Sequence, residues 1–152
     1  MEQKIERLMD GIGKHIVDLL QKNARISFSD LGRKVGLSTP AVTERVRKLE
    51  DAGVISGYHA AVDAAKVGLP VTAFIHITTP SQNYPKINAI LDGLDAVLES
   101  HHISGEESFI MKVAVPSVAH LEPLVEKLSP FGQTKTAVVL STRIMRRSIA
   151  CV

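Results

Sequence analysis

The sequence predicts an α+β protein in two parts: an N-terminal helix-turn-helix domain, then a ferredoxin-like β-α-β-β-α-β sandwich. Helical periodicity with cap residues and glycine stops recurs three times before residue 54. From residue 70 onward, short β-branched runs alternate with two helical stretches in the order β-α-β-β-α-β. The stretch between, GVISGYHAAVDAAKVGLP, has neither period and reads as the junction. The expected division is 1–54 for the helical domain, 55–69 for an extended linker arm and 70–152 for the sheet domain. A chain of 152 residues with 45% apolar side chains has room for two small cores.

In DGIGKHIVDLLQKNAR, Ile12, Ile16, Leu19 and Leu20 share one helical face, and Asp10 is placed to cap it. Gly11 and Gly13 weaken its first turn on propensity alone. In SFSDLGRKVG, Ser29 is taken as the cap, Leu31 and Val35 as the inward side, and Gly36 as the stop. The third helix starts at Ser38, carries Pro40 in its first turn, where a missing N–H costs little, and ends at Gly53. Beyond the junction, VTAFIHIT is a strand, and NYPKINAILDGL is a helix with Pro85 near its start. VLESHHI and SFIMKVAV are strands separated by Gly105. SVAHLEPLVEKL is a helix that Pro123 must kink or delay, and TKTAVVLST is the last strand.

Both faces of these strands carry apolar residues. Val71, Ala73, Ile75 and Ile77 oppose Phe74; Phe109, Met111, Val113 and Val115 oppose Ile110 and Ala114. In this topology both helices cover the same face, so a second copy of the chain is expected on the other, as an obligate dimer. Tyr58, Ala60 and Val62 alternate in the arm, as a strand packed across that two-fold requires; an ordinary interdomain linker is the other reading.

The net charge of +2 points to no particular partner, but its distribution does. From Lys22 to Lys48 seven bases (Lys22, Arg25, Arg33, Lys34, Arg45, Arg47, Lys48) face only Asp30 and Glu44. Local positive charge of this kind attracts phosphates. With about 100° per residue and Val42 facing inward, Val46 and Leu49 fall within about 40° of it, while Pro40, Thr43, Glu44, Arg47 and Lys48 face outward together. Arginine can grip guanine through two hydrogen bonds, and threonine can meet a thymine methyl. A helix stopping at Gly36 and another capped at Ser38 leave the tight turn of a helix-turn-helix, whose second helix enters the major groove. Thr43 and Arg47 are expected at base edges, and Arg33, Lys34, Ser38, Thr39 and Lys48 mainly at phosphates. Arg45 lies on the flank, open to either an ion pair or DNA.

NARISFSDLGRKVGLSTPAVTERVRKLEDAGVISGY resembles the DNA-binding half of the Lrp/AsnC (leucine-responsive, or feast/famine) bacterial and archaeal regulators. The resemblance continues through VGLPVTAFIHI, ISGEESFIMKV and FGQTKTAVVLST, and so covers nearly the whole chain. It implies a sequence-specific, DNA-binding transcriptional regulator whose C-terminal domain senses an amino acid, and dimers that assemble into octamers or discs which DNA can wrap. The family usually has an acidic residue near Gly13, which this chain lacks.

In the turn SGEESF, Gly105 permits a positive φ that exposes backbone N–H groups to a carboxylate. The resemblance implies that an amino acid binds near this turn, between subunits, with Thr134 and Thr136 as the matching hydroxyls of the last strand. The family pattern Gly-x-x-Asp-aromatic has Ser108 at its Asp position here, so Glu106 or Glu107 is left to supply the charge. An ordinary hairpin turn is the alternative.

An enzyme is the weaker reading. The six histidines are scattered, and the adjacent His101 and His102 point to opposite faces of a strand and cannot share a metal. No phosphate-binding glycine loop or Cys/His metal spacing occurs, so no catalytic residue, metal or cofactor is expected beyond the amino-acid effector. An architectural protein that wraps DNA without an effector is the remaining alternative. The lone Cys151, the mixed charges of MEQKIERLMD and the lack of a long apolar run predict a reduced, cytoplasmic protein with no membrane partner, and the DNA-binding reading makes it nucleoid-associated.

Overall fold

The computed structural model describes residues 2–151, which divide into two compact units. One comprises the chain up to Ala60 together with the segment from Ile144; the other runs from Ala61 to Arg143.

The first unit holds four helices: α1 (Glu2–Leu8), α2 (Gly11–Lys22), α3 (Phe28–Val35) and α4 (Thr39–Asp51). Asp10 caps α2 by accepting from the Gly13 N–H at 2.8 Å. The cap of α3 is Ser27 rather than Ser29. Ser27 Oγ accepts from the Asp30 N–H at 3.0 Å and donates to the Asp30 carboxylate at 2.7 Å, which puts Ser29 inside the first turn. Ile16, Val17, Leu20, Leu31, Val42, Val46 and Leu49 form the core. Each large aliphatic side chain removed from water here contributes about 1.5–3 kcal/mol. Helix α1 was not expected from the sequence. Nor was the return of residues 144–151, assigned on sequence to the sheet domain: Ile149 is held by Gln21 and Cys151 packs against the helical core.

In the second unit, β1 (Val71–Thr78), β2 (Val97–His102), β3 (Phe109–Val115) and β4 (Gln133–Val138) form one sheet in the order β2-β3-β1-β4, each neighbour antiparallel. With α5 (Tyr84–Leu91) and α6 (Glu122–Leu128), this is the expected β-α-β-β-α-β order. A 3-10 turn, Val118–Leu121, precedes α6, so Pro123 falls in the first helical turn. Register pairs Ile75 with Met111 and Ile77 with Phe109, and these point to the helices, against Ile87, Leu121, Leu124 and Leu128. Phe74 and His76 pair with Lys112 and Ile110 on the opposite face. Of the extended arm expected over 55–69, residues 56–63 form no ladder within the chain and Ala65–Val67 is a 3-10 turn.

The two glycines that weaken α2 on propensity behave differently. A Cβ on Gly13 would sit 1.8 Å from the Leu8 carbonyl oxygen, whereas nothing lies within 4 Å at Gly11. Gly13 therefore lets α1 end against α2. Gly13→Ala should destabilise the protein by about 1–3 kcal/mol or more, and Gly11→Ala should stabilise it by roughly 0.5–1 kcal/mol. Chemical denaturation of the two variants checks this; equal effects would remove the close approach as the reason for Gly13.

Candidate nucleic-acid interface and ligand pocket

The turn between α3 and α4 is fixed by backbone. Gly36 closes α3 in the left-handed region, φ 72°, and the Leu37 N–H donates to the Gly32 carbonyl at 2.9 Å. A Cβ on Gly32 would lie 2.6 Å from the Leu37 carbonyl oxygen, so only glycine lets the chain double back this closely. Ser38 caps α4 by accepting from the Ala41 N–H at 3.4 Å. With Val42, Val46 and Leu49 buried, Pro40, Thr43, Glu44, Arg47 and Lys48 are all exposed, as the helical projection requires. Arg33, Lys34, Ser38 and Thr39 are exposed beside them.

These side chains are already linked to one another. Arg47 donates to Glu44 through Nε at 3.1 Å and Nη2 at 3.0 Å, and lies 3.8 Å from Asp51. Lys48 Nζ is 3.5 Å from the same Glu44 carboxylate. The Arg47 hydrogen bond, ahead of the Arg47 and Lys48 charges, holds the Glu44 carboxyl below its usual range, and Glu44 raises Arg47 in return. Both groups are exposed and their attraction is screened by water, so a ligand can exchange for Glu44 at little cost. The Thr43 hydroxyl donates to the Thr39 carbonyl at 2.8 Å, leaving its methyl group and an acceptor oxygen for a ligand. Arg33 pairs with Asp30.

Arg45, open to two readings on sequence, is structural. It is paired with Asp10 and donates to the Leu8 carbonyl at 3.4 Å, joining α4 to the start of α2. Tyr58, after α4, donates to Glu50 at 2.9 Å. Partial burial, then this bond, push its phenol up to about 12, so it remains a donor at neutral pH.

In the sheet unit, Gly105 (φ 132°) lies in the turn between β2 and β3. Next to it a cavity of about 310 Å³ is lined by His76, Thr78, Glu106, Glu107, Gln133, Thr134 and Lys135. Of the six positions singled out on sequence, Glu106, Glu107 and Thr134 line it. Ser108 does not: its buried hydroxyl accepts from the Thr79 N–H at 3.1 Å and donates to the Thr79 carbonyl at 3.0 Å. Both of its hydrogen-bonding roles are thus used by the scaffold. Thr136 pairs with Ile75, a step further along β4, and is not among the lining residues.

Two lining residues that sequence reasoning missed are His76 and Lys135, which face each other across the β1–β4 ladder. Lys135 Nζ is 3.3 Å from Glu107 Oε1, and His76 Nδ1 is 3.9 Å from it and without a hydrogen-bond partner. The Lys135 hydrogen bond is the main reason the Glu107 carboxyl lies below its usual range. The cavity therefore offers carboxylate, ammonium, imidazole and hydroxyl groups together, a set suited to a small zwitterion. His101 and His102 pair with Ile110 and Phe109 and so point to opposite faces of the sheet.

Residues 9–50 match the AsnC-type helix-turn-helix domain, and residues 72–149 match the Lrp/AsnC ligand binding domain. The HTH-type transcriptional regulator LrpC of Bacillus subtilis is 36% identical over 133 residues, which covers 88% of this chain and 92% of the relative. Its solved structure superposes with a TM-score of 0.84 over 90% of this chain and 98% of that one, at 35% identity. The regulatory protein AsnC of Escherichia coli K12 is 31% identical over 144 residues, 91% of this chain and 95% of the relative. A feast or famine regulatory protein from M. tuberculosis complexed with L-methionine superposes with a TM-score of 0.87 at 32% identity, over 94% of this chain and 99% of that one.

The Asp10–Arg45 pair makes a pH prediction. The Gly13 N–H first, then Arg45, lower the Asp10 carboxyl below its ordinary 3.8. Because its folded pKa lies below the unfolded one, its stabilisation is complete above the ordinary carboxylate range, fades as pH falls past 3.8, and is gone below the folded value. Asp10→Asn keeps a cap but loses the charge. The melting-temperature advantage of wild type over this variant should be full at pH 6 and shrink steadily below about pH 4. A gap independent of pH would mean that neither the Gly13 N–H nor Arg45 favours the ionised Asp10 carboxyl.

Proposed function

The chain belongs to the Lrp/AsnC family of transcriptional regulators, and from that premise we propose how it engages DNA, a ligand and its own copies. It is a DNA-binding regulator, not an enzyme. The reading that follows rests above all on the exposed row Thr43, Glu44, Arg47 and Lys48 along α4, aligned opposite its buried side.

Helix α4 lies in the major groove. Arg47 exchanges Glu44 for a guanine edge, and Thr43 offers its methyl group to a thymine. Pro40 opens the exposed face, while Ser38, Thr39, Arg33, Lys34 and Lys48 hold phosphates and fix the register. The domain over residues 1–54 binds DNA, the arm over 55–69 connects, and the domain over 70–152 assembles and senses, with the segment from Ile144 returning to the helical unit. Copies pair across the sheet face that the helices leave open, with Tyr58, Ala60 and Val62 contributing from the arm. Such dimers set two recognition helices about one DNA turn apart, or a multiple of it. Octamers or discs built from the dimers would wrap DNA.

An amino acid occupies the cavity beside Gly105. The support is its mixed-charge lining and the structural neighbour complexed with L-methionine. Glu106 and Glu107 face the ligand ammonium, Lys135, His76 and the Gly105 turn face its carboxylate, and Thr134 supplies a hydroxyl; Ser108 shapes the turn from behind. No described helix is long and apolar enough to cross a membrane. We place the protein in the cytoplasm, on the nucleoid.

On an operator selected from genomic DNA, Arg47→Ala should cost roughly 1–3 kcal/mol and relax specificity. Lys48→Ala should weaken all DNA about equally and make the salt slope shallower by about 0.9. Unchanged operator affinity in Arg47→Ala would mean another face of the helix reads DNA. A melting-temperature screen over the amino acids tests the pocket, because a true effector at 100 times its Kd adds about 2.7 kcal/mol. Gly105→Asp should erase that shift and leave DNA binding intact. A protein stabilised by no amino acid would be the effector-free architectural form.

A further inference from the structure

We propose that the segment Ile144–Cys151 is a second DNA-backbone contact, in which Arg146 and Arg147 grip phosphates beside the helix-turn-helix; this rests on the reading of α4 as the recognition helix. The first observation is charge. The segment from Ile144 to Cys151 carries Arg146 and Arg147 and no acidic residue.

The second is a specific clamp. The side-chain amide of Gln21 accepts from the Ile149 N–H at 2.7 Å and donates to the Ile149 carbonyl at 2.9 Å. It thus bonds both backbone groups of one residue, as a neighbouring strand would. Cys151 packs against the apolar core of the same unit, so the segment is held at two points. Arg147 and Arg146 lie two and three residues before Ile149, within roughly 10 Å of the clamp along an extended chain.

The clamp is in the last turn of α2, one residue before Lys22 and four before Arg25. Those are the first bases of the positive run that ends at Lys48 on the recognition helix. The clamp therefore anchors the two arginines within a few residues of the end of α2, where that run begins; Lys22 itself is paired with Asp18 at 2.7 Å. Arg33, Arg45 and Arg47 all face carboxylates. Arg146 and Arg147 are exposed, and neither joins any ion pair among the described residues. A planar, permanently charged fork without a carboxylate partner suits a phosphate diester. Contacts of this kind carry no sequence information, so they add to affinity on any duplex.

The test is binding of the full-length protein to a random-sequence duplex and to a selected operator, followed by fluorescence anisotropy over a range of salt. The double variant R146Q/R147Q should make the slope of log K against log salt shallower by about 1.8, the release of two phosphate contacts. Affinity for both duplexes should fall by the same factor, with melting temperature and sedimentation unchanged. Gln21→Ala, which frees the segment, should lose part of the same slope. K86Q/K127Q removes two exposed charges from the other unit and should leave the slope as in wild type. An unchanged slope in R146Q/R147Q, or an equal change in K86Q/K127Q, overturns the proposal while the helix-turn-helix reading stands. Failure of the wild-type protein to bind either duplex would overturn the recognition-helix reading itself.

Discussion

Where α3 gives way to α4, the Leu37 carbonyl lies 2.6 Å from the point where a side chain on Gly32 would begin, and Val42 Cγ1 lies 3.5 Å from it. The turn lays the Leu37 backbone, and α4 its Val42 side chain, against the bare backbone of Gly32 in α3, and close packing of this kind leaves α4 little freedom to slide or roll. The roll of α4 about its own axis follows from that contact. Once Val42, Val46 and Leu49 point into the core, the positions one and two residues after Val42 and Val46 must point out. The exposed row of polar side chains is therefore a consequence of packing, and Arg45, between the two sides, becomes a strut to Asp10.

The sheet unit separates scaffold from surface in a similar way. At one end, Ser108 bridges the Thr79 backbone, the Thr79 hydroxyl donates to the Phe131 carbonyl, and Asn83 donates to the same carbonyl at 3.0 Å. These bonds join the end of β1, the start of β3 and the approach to β4 through groups that are largely out of water. Buried polar groups satisfied in this way stiffen a structure. The charged residues of the cavity stand on this platform but take little part in it. Their chemistry can change without loosening the fold beneath.

Much of this was legible in the sequence because it depends on local order. Helical spacing identified the inward residues of α4, and β-branched runs identified all four strands. The cap of α3 was misplaced although a signal existed: Ser27-x-x-Asp30 has the capping-box spacing, while Ser29 lacks an acidic residue three positions on. His76 and Lys135 were missed because their proximity comes from strand register, 59 positions apart in the chain, which no local pattern reports. The return of Ile149 to Gln21 was illegible for another reason. It is made to backbone groups, so the identity of residue 149 leaves no trace of it. Helix α1 is a short polar stretch whose place is set by the bare backbone of Gly13.

The fork between Arg47 and Glu44 has a consequence for the entropy of any encounter. A free arginine side chain carries about 2 kcal/mol of rotamer freedom. Held by Glu44 on one turn and approached by Asp51 on the next, Arg47 has surrendered part of that freedom before a partner arrives. Whatever displaces Glu44 meets a guanidinium already partly ordered, and replaces a weak exposed pair rather than ordering a loose chain.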